Sequence, residues 1–289
     1  MADPRLLVVY KKSQLELYRE HDPEAGRVLS EREPELWERF TTSHDQNALA
    51  IERVTSAIRE RSLTAEFVYR ADTETADGFD LVISVGGDGT LLDVSHSVFS
   101  KPLLGVISSE SSVGYFCGTD ASGFADTLDG WLGGQRETTD LTRLQVSVNG
   151  TAYAIPILNE VLYSAIVPAS VSRYVMRVGD IVEEHKSSGI WISTAAGSTA
   201  AIRSAGGQLM EPSDTRIQYI VREPFLFAGI QHQLTRDIVD QPIEVMSKMR
   251  TAAIYVDGHR EQIWLSLGDR VRIDRHPYPL RLVGFTRRV

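Results

Sequence analysis

One carboxylate stands inside a glycine turn. Gly86-Gly87-Asp88-Gly89-Thr90 follows the apolar run Leu81-Val82-Ile83-Ser84-Val85 and precedes Leu91-Leu92-Asp93-Val94. The order reads as strand, turn and helix start. Glycines let a backbone approach a ligand with no Cβ in the way, and a helix N-terminus offers unpaired N–H groups to an anion. A turn that only held phosphate would gain nothing from an acid, which repels it. Asp88 therefore points to chemistry: a magnesium contact, a hydroxyl orienter or a general base. Gly-Asp-Gly also makes ordinary turns, but the buried strand before this one and the helix after it favour function.

Two further clusters carry polar groups that could bind. Ser193-Thr194-Ala195-Ala196-Gly197-Ser198-Thr199-Ala200 leads into Ser204-Ala205-Gly206-Gly207. Small hydroxyls and glycine at a strand-to-helix junction permit a close backbone approach, with Ser198 or Thr199 as N-cap candidates. Plain capping and close packing account for the same pattern. Asn159-Glu160 follows the run Ile155-Pro156-Ile157-Leu158. Such a pair can fix ribose hydroxyls or a base edge through donors and acceptors, although by itself it reads better as a turn with one solvated carboxylate. Lys12 first, and Lys11 second, could supply positive charge at the end of the strand Leu6–Tyr10; Arg203 and Lys186 are weaker candidates. Lys12 could equally be a solvated surface cation, and the other three read better as such. His96, His185 and His259 read as surface or structural residues.

The elements around these clusters divide the chain. Leu6–Tyr10 reads as a buried parallel strand, and Ala65–Arg70, Leu81–Val85 and Pro102–Ile107 as the next three strands. Helical spacing runs from Leu36 to about Ser62 through Leu49, Ile51, Val54 and Ile58, and a short helix is expected over Thr90–Ser100. Strands alternating with helices imply right-handed βαβ units, with ligands at the carboxyl ends of the strands. After about residue 140 the texture changes to short β-rich runs, among them Gln145–Val148, Tyr153–Leu158, Val171–Val178 and Gly189–Ser193. Turns such as Asn149-Gly150 and Asp257-Gly258 separate them. The expectation is a Rossmann-like α/β domain over residues 1–135 and a sandwich-like all-β domain over 140–289, whose extreme C-terminus could pack back on the first.

The chain has 289 residues and a net charge of −9, with no run of lysine or arginine longer than the terminal Arg287-Arg288. That balance argues against sequence-independent nucleic-acid binding, which needs a basic face. A single cysteine, Cys117, in an apolar setting reads as packing, and no Cys/His spacing resembles a zinc site, so no metal ligand is assigned. No secretory signal and no run of about 18 apolar residues is visible, which suggests a soluble cytoplasmic protein and no membrane partner.

GGDGT, Asn159-Glu160, the GSTA and AGG elements and Asp257-Gly258, in that order, resemble the NAD kinase family over most of the chain. GGDGT alone is shared with diacylglycerol, sphingosine and phosphofructokinase relatives; the downstream elements discriminate. The resemblance implies a site in the cleft between an α/β and a β-rich domain, a homo-oligomer with a dimer as first expectation, and ATP with magnesium as donor. It implies transfer to the 2′-hydroxyl of the adenosine ribose of NAD(H). Asp88 would face that hydroxyl, Asn159 and Glu160 would hold the dinucleotide, and Thr199, Ala200 and Ser204 would line the substrate pocket. The sequence departs from the family where Ala201 replaces a tyrosine, Ala196 a threonine and Ser188 an aspartate, and where Ser108–Phe116 replaces a shorter segment. Several departures look like the mitochondrial-type branch. The rival readings are a lipid kinase sharing GGDGT and a catalytically silent nucleotide-binding regulator.

Overall fold

The computed structural model describes residues 3–73, 76, 78–225 and 231–286; Arg287 and Arg288 lie outside them. The chain divides into two compact units, Met1–Thr139 with Arg281–Val289, and Asp140–Leu280. The second unit thus ends before the C-terminus, and the strand Leu280–Val283 runs parallel to a strand of the first sheet.

In the first unit, β1 (Arg5–Tyr10), β2 (Thr64–Tyr69), β3 (Leu81–Gly86) and β4 (Pro102–Ile107) are all parallel, in the order β2-β1-β3-β4. Leu6, Val8, Leu81, Ile83, Leu104 and Val106 are buried in one core with Ala50, Val54 and Ile58 of the long helix α3 (Pro34–Glu60). (Helices α1, Gln14–His21, and α2, Pro23–Arg32, come first.) The latter two are additions to the sequence reading, which passes from the first strand to Leu36. Their signals are in the chain: Ser13 and Glu16 form a capping box, Ser13 Oγ accepting from Glu16 N at 3.1 Å and Glu16 Oε2 from Ser13 N at 2.7 Å, and Pro23 and Pro34 open the next two helices. The chain moves outward from β1 to β2, then returns to lay β3 on the other side of β1. That reversal makes the carboxyl ends of β1 and β3 the place where such sheets bind ligands. Lys11 and Lys12 follow β1, and Gly87–Thr90 follow β3.

The second unit is a sandwich of two antiparallel six-stranded sheets. One holds, in spatial order, Ile181–Ser187, Ser172–Val178, Ile243–Ser247, Arg270–Arg275, Leu144–Val148 and Thr151–Ala152; the other holds Arg236–Val239, Ile217–Arg222, Gly189–Ser193, Glu160–Ala165, Ala252–Val256 and Glu261–Leu265. Their inner faces share one core that includes Val146, Tyr163, Tyr174, Ile190, Ile254 and Ile273. Asn149 and Gly150, at φ 52° and 84°, make the two-residue hairpin turn that the sequence suggests.

The expected strand Tyr153–Leu158 does not form; only Leu144 and Ile157 pair there. Pro156 lacks the N–H that a ladder needs. The strand begins instead at Glu160, so the Asn-Glu pair opens an element rather than closing one. Among the described residues no helix is long and apolar enough to cross a membrane.

Ile83 is fully buried in the strand that delivers the glycine turn. Ile83→Ala is expected to lower the unfolding free energy by about 2–5 kcal/mol, the range for a truncated core side chain, as measured by denaturant titration.

Candidate functional site

Helix α4 runs from Asp88 to Ser95 with Gly87 as its N-cap. Asp88 is therefore the first helical residue, where the peptide dipoles favour a negative charge. Its two carboxylate oxygens are held from the segment after β4: Oδ2 accepts from Tyr115 N at 3.0 Å and Oδ1 from Phe116 N at 2.9 Å. The same segment takes Asp88 N at 2.7 Å through Val113 O, while Thr90 N turns back to Gly87 O at 3.0 Å. The first-turn N–H groups are thus partly engaged, contrary to the expectation of an open anion-binding helix end. A Cβ on Gly87 would lie 2.6 Å from Val113 O, so glycine is required for this approach. Thr90 is buried beneath the turn.

A pocket of about 470 Å³ opens beside the turn, wholly within the first unit. Gly87, Asp88, Gly89 and Thr90 line it together with four cations, Lys11, Lys12, Arg39 and Arg70. Lys12 Nζ lies 2.6 Å from Glu20 Oε2 and 5.0 Å from the centre of the Tyr69 ring. Lys11 Nζ donates to Ser112 Oγ at 3.0 Å; burial, and then the charge of Arg70, hold its pKa below the ordinary lysine value. Arg70 NH1 lies 3.1 Å from Asp93 Oδ2. Arg39 and Arg70 escape sequence reasoning because a helix face and a strand end bring them in from remote positions. Ser109, Ser111 and Ser112 join through hydroxyl contacts of 3.2 and 2.8 Å, Ser109 being common to both. The segment that departs from the family pattern thus supplies this wall.

In the second unit, Asp257 organises the Asn-Glu pair. Its carboxylate accepts from Leu158 N at 3.1 Å, Asn159 N at 2.8 Å and Glu160 N at 3.2 Å. On the carbonyl side, Thr194 Oγ1 donates to Leu158 O at 2.6 Å, and Thr194 N and Ser193 Oγ donate to Asn159 O at 2.9 and 3.1 Å. The backbone is engaged while the side chains are left over: Asn159 Oδ1 and Glu160 Oε2 are buried with no hydrogen-bond partner. A buried polar atom left unpaired costs about 1–3 kcal/mol, and a ligand donor is one reason to keep it so. Burial, and then the charge of Asp257, push the Glu160 carboxyl up to about 8, against a smaller opposite effect of Arg260.

The remaining sequence-predicted residues sort differently. Ser198 is not an N-cap: its hydroxyl accepts from Met210 N at 3.0 Å, and the one-turn helix Ala201–Ser204 starts after Ala200 with no side-chain cap. Thr199 and Ser204 are exposed and Ala200 is half-buried. Ser188 lines a separate pocket of about 500 Å³ with Trp191, Arg222, Tyr255 and His259. Arg203 NH1 is tied to Gly207 O at 2.9 Å, and Lys186 lies exposed on an edge strand. His185 is wholly buried, so the surface role is excluded for it. Cys117 is a buried free thiol.

A parallel sheet with a glycine turn at its switch point, and a sandwich with orphaned polar side chains, define a nucleotide-handling class of protein. Residues 20–135 match the ATP-NAD kinase N-terminal domain and residues 158–285 the ATP-NAD kinase C-terminal domain. A probable NADH kinase of Oryza sativa subsp. japonica is 34% identical over 254 residues, 79% of this chain and 78% of that protein. An NAD kinase of Methanosarcina barkeri is 27% identical over 209 residues, 72% of this chain and 74% of that protein. The crystal structure of an NAD kinase from Archaeoglobus fulgidus in complex with ATP shares the fold at a TM-score of 0.67 and 21% identity, over 98% of this chain and 94% of that one. Yeast NADH kinase complexed with NADH does so at 0.68 and 16%, over 99% and 85%. The chain belongs to the NAD kinase family. It is an enzyme of NAD(H) phosphorylation, and the lipid-kinase and silent-regulator readings are not favoured.

Glu160 supplies a test. Its folded value near 8 lies above the ordinary carboxyl value of 4.5. Between these two values the unfolded chain has lost the proton that the folded chain keeps, so stability falls as pH rises through that window. Glu160→Gln removes the dependence. The variant is expected to gain on the wild type by on the order of a few kcal/mol between about pH 5 and pH 9, read as diverging unfolding midpoints.

Proposed function

We propose that Asp88 is the catalytic carboxylate of this enzyme and that the acceptor is the 2′-hydroxyl of the adenosine ribose of NAD(H). The hydroxyl oxygen forms a bond to the γ-phosphorus of ATP as the bond to the β,γ-bridging oxygen breaks. The hydroxyl proton passes to Asp88, and ADP and NADP(H) leave. The observation that carries this reading is the grip on Asp88: two backbone N–H groups fix one carboxylate of a pocket that four cations also line. Little covalent work falls to the protein in such transfers; positioning and charge neutralisation dominate. Lys11, Lys12, Arg39 and Arg70 supply that neutralisation, and Gly86, Gly87, Gly89 and Thr90 let the phosphates approach. The buried Asn159 Oδ1 and Glu160 Oε2 take dinucleotide donors, with Ser188, Thr199, Ala200 and Ser204 as further contacts.

A divalent cation such as magnesium enters with the nucleotide. Asp88 is the one carboxylate among the described residues lining the pocket. That donor set suits magnesium, which is commonly held by one or two carboxylates plus substrate phosphates. When bound, the cation would neutralise phosphate charge, with Asp88 and the serine hydroxyls as its protein-side oxygens. We extend the reading to a cytoplasmic homodimer acting on free nucleotides.

Asp88→Asn keeps the side chain's size and removes the base. It is expected to lower kcat for NADP(H) formation by about 10²–10⁴-fold while nucleotide affinity, measured by calorimetry, largely survives. Full turnover in this variant would remove Asp88 from the role.

A further inference from the structure

Three ligand-type side chains of the second unit, none of them assigned to nucleotide, converge. The edge strand Ile181–Ser187 carries Glu183 and His185 on one face. His232 comes from the segment that leads into Arg236–Val239, the edge strand of the opposite sheet. His185 Nε2 lies 3.3 Å and His232 Nδ1 3.6 Å from Glu183 Oε2. One ligand atom from each of the three falls within 4.8 Å of the other two. A tetrahedral zinc ion with bonds of about 2.0–2.1 Å separates its ligand atoms by about 3.4 Å, so these contacts already have the spacing of such a shell.

The second observation is His185 itself. Its side chain has no exposure, yet neither ring nitrogen makes a directed hydrogen bond; Nε2 only faces Glu183 Oε2 at 3.3 Å. An imidazole buried in that state has exchanged its water for one charge contact and leaves its other nitrogen unmet. Its ring lies between Tyr174, at 5.5 Å between centroids, and His232, at 4.4 Å. The carboxylate is pre-oriented: Glu183 Oε1 accepts from Gln233 N at 2.8 Å and Oε2 from Leu234 N at 3.0 Å. Carboxylate ligands are commonly supported in this way.

We propose that Glu183, His185 and His232, none of which is assigned to nucleotide, form a divalent-metal site of the zinc class which ties the edge strands of the two sheets together. Two imidazoles and one carboxylate suit zinc better than magnesium, which takes oxygen ligands. Glu183 and His232 keep some exposure, 14% and 11% of their side chains, which leaves a path for the ion and for a water in the fourth position. Local sequence spacing cannot reveal the cluster, because its third member lies far along the chain. The sequence reading assigns no metal ligand; these three residues come together only in the fold.

The test uses the full chain, stripped with EDTA and free of nucleotide, titrated with zinc chloride. One equivalent is expected to bind, and the unfolding midpoint to rise by about 5–10 °C at zinc about 100-fold above its Kd. His232→Gln, at a partly exposed position, is expected to fold, bind no tight equivalent and show no rise. Cobalt(II) gives an independent reading: a tetrahedral visible spectrum in the wild type, absent in His232→Gln. The proposal is overturned by a wild type that binds no tight equivalent, or by a His232→Gln variant that binds and is stabilised as the wild type is.

Discussion

The first unit's site depends on the hold on one carboxylate. Asp88 opens a helix, which favours its charge, and the Tyr115 and Phe116 N–H groups fix both its oxygens. Everything around it serves that placement. Gly87 must be glycine for Val113 to come close enough, and β3, buried along its whole length, presents the turn. The order β2-β1-β3-β4 brings the end of β1, with its lysines, beside it. A carboxylate fixed in this way can be surrounded by cations at set positions.

The second unit repeats the device with the roles exchanged. Asp257 spends its carboxylate on three successive backbone N–H groups, and Thr194 and Ser193 take the carbonyls. The peptide at Asn159 and Glu160 is thereby fixed while both side chains remain unpaired. The cost is visible in Glu160, whose carboxyl resists ionisation until about pH 8. A protonated carboxyl can donate as well as accept.

Much of this was legible in residue order. Continuous apolar runs located β1, β3 and β4, and GGDGT located the turn between β3 and its helix. What the sequence hid was tertiary. Arg39 and Arg70 reach the pocket from a helix face and a strand end with no local mark. The two N–H groups that hold Asp88 belong to Tyr115 and Phe116, and backbone donors leave no trace in residue type. Ser198 looked like a cap because small hydroxyls often are; here the close packing of Gly197 on Asn159 turns it toward Met210. Tyr153–Leu158 looked like a strand by hydropathy, and Pro156 overrode it. The capping box at Ser13 shows the reverse case, a signal present and passed over because helices α1 and α2 have weak apolar faces.

The central claim is that the Asp88 turn directs the γ-phosphoryl group of ATP to one ribose hydroxyl. The direct measurement is incubation of the wild-type protein with γ-labelled ATP, magnesium and NAD or NADH, followed by phosphorus NMR of the labelled dinucleotide. The account predicts a single new phosphomonoester at the 2′-position of the adenosine ribose. Label that stays on ATP, or appears on another hydroxyl, would contradict it.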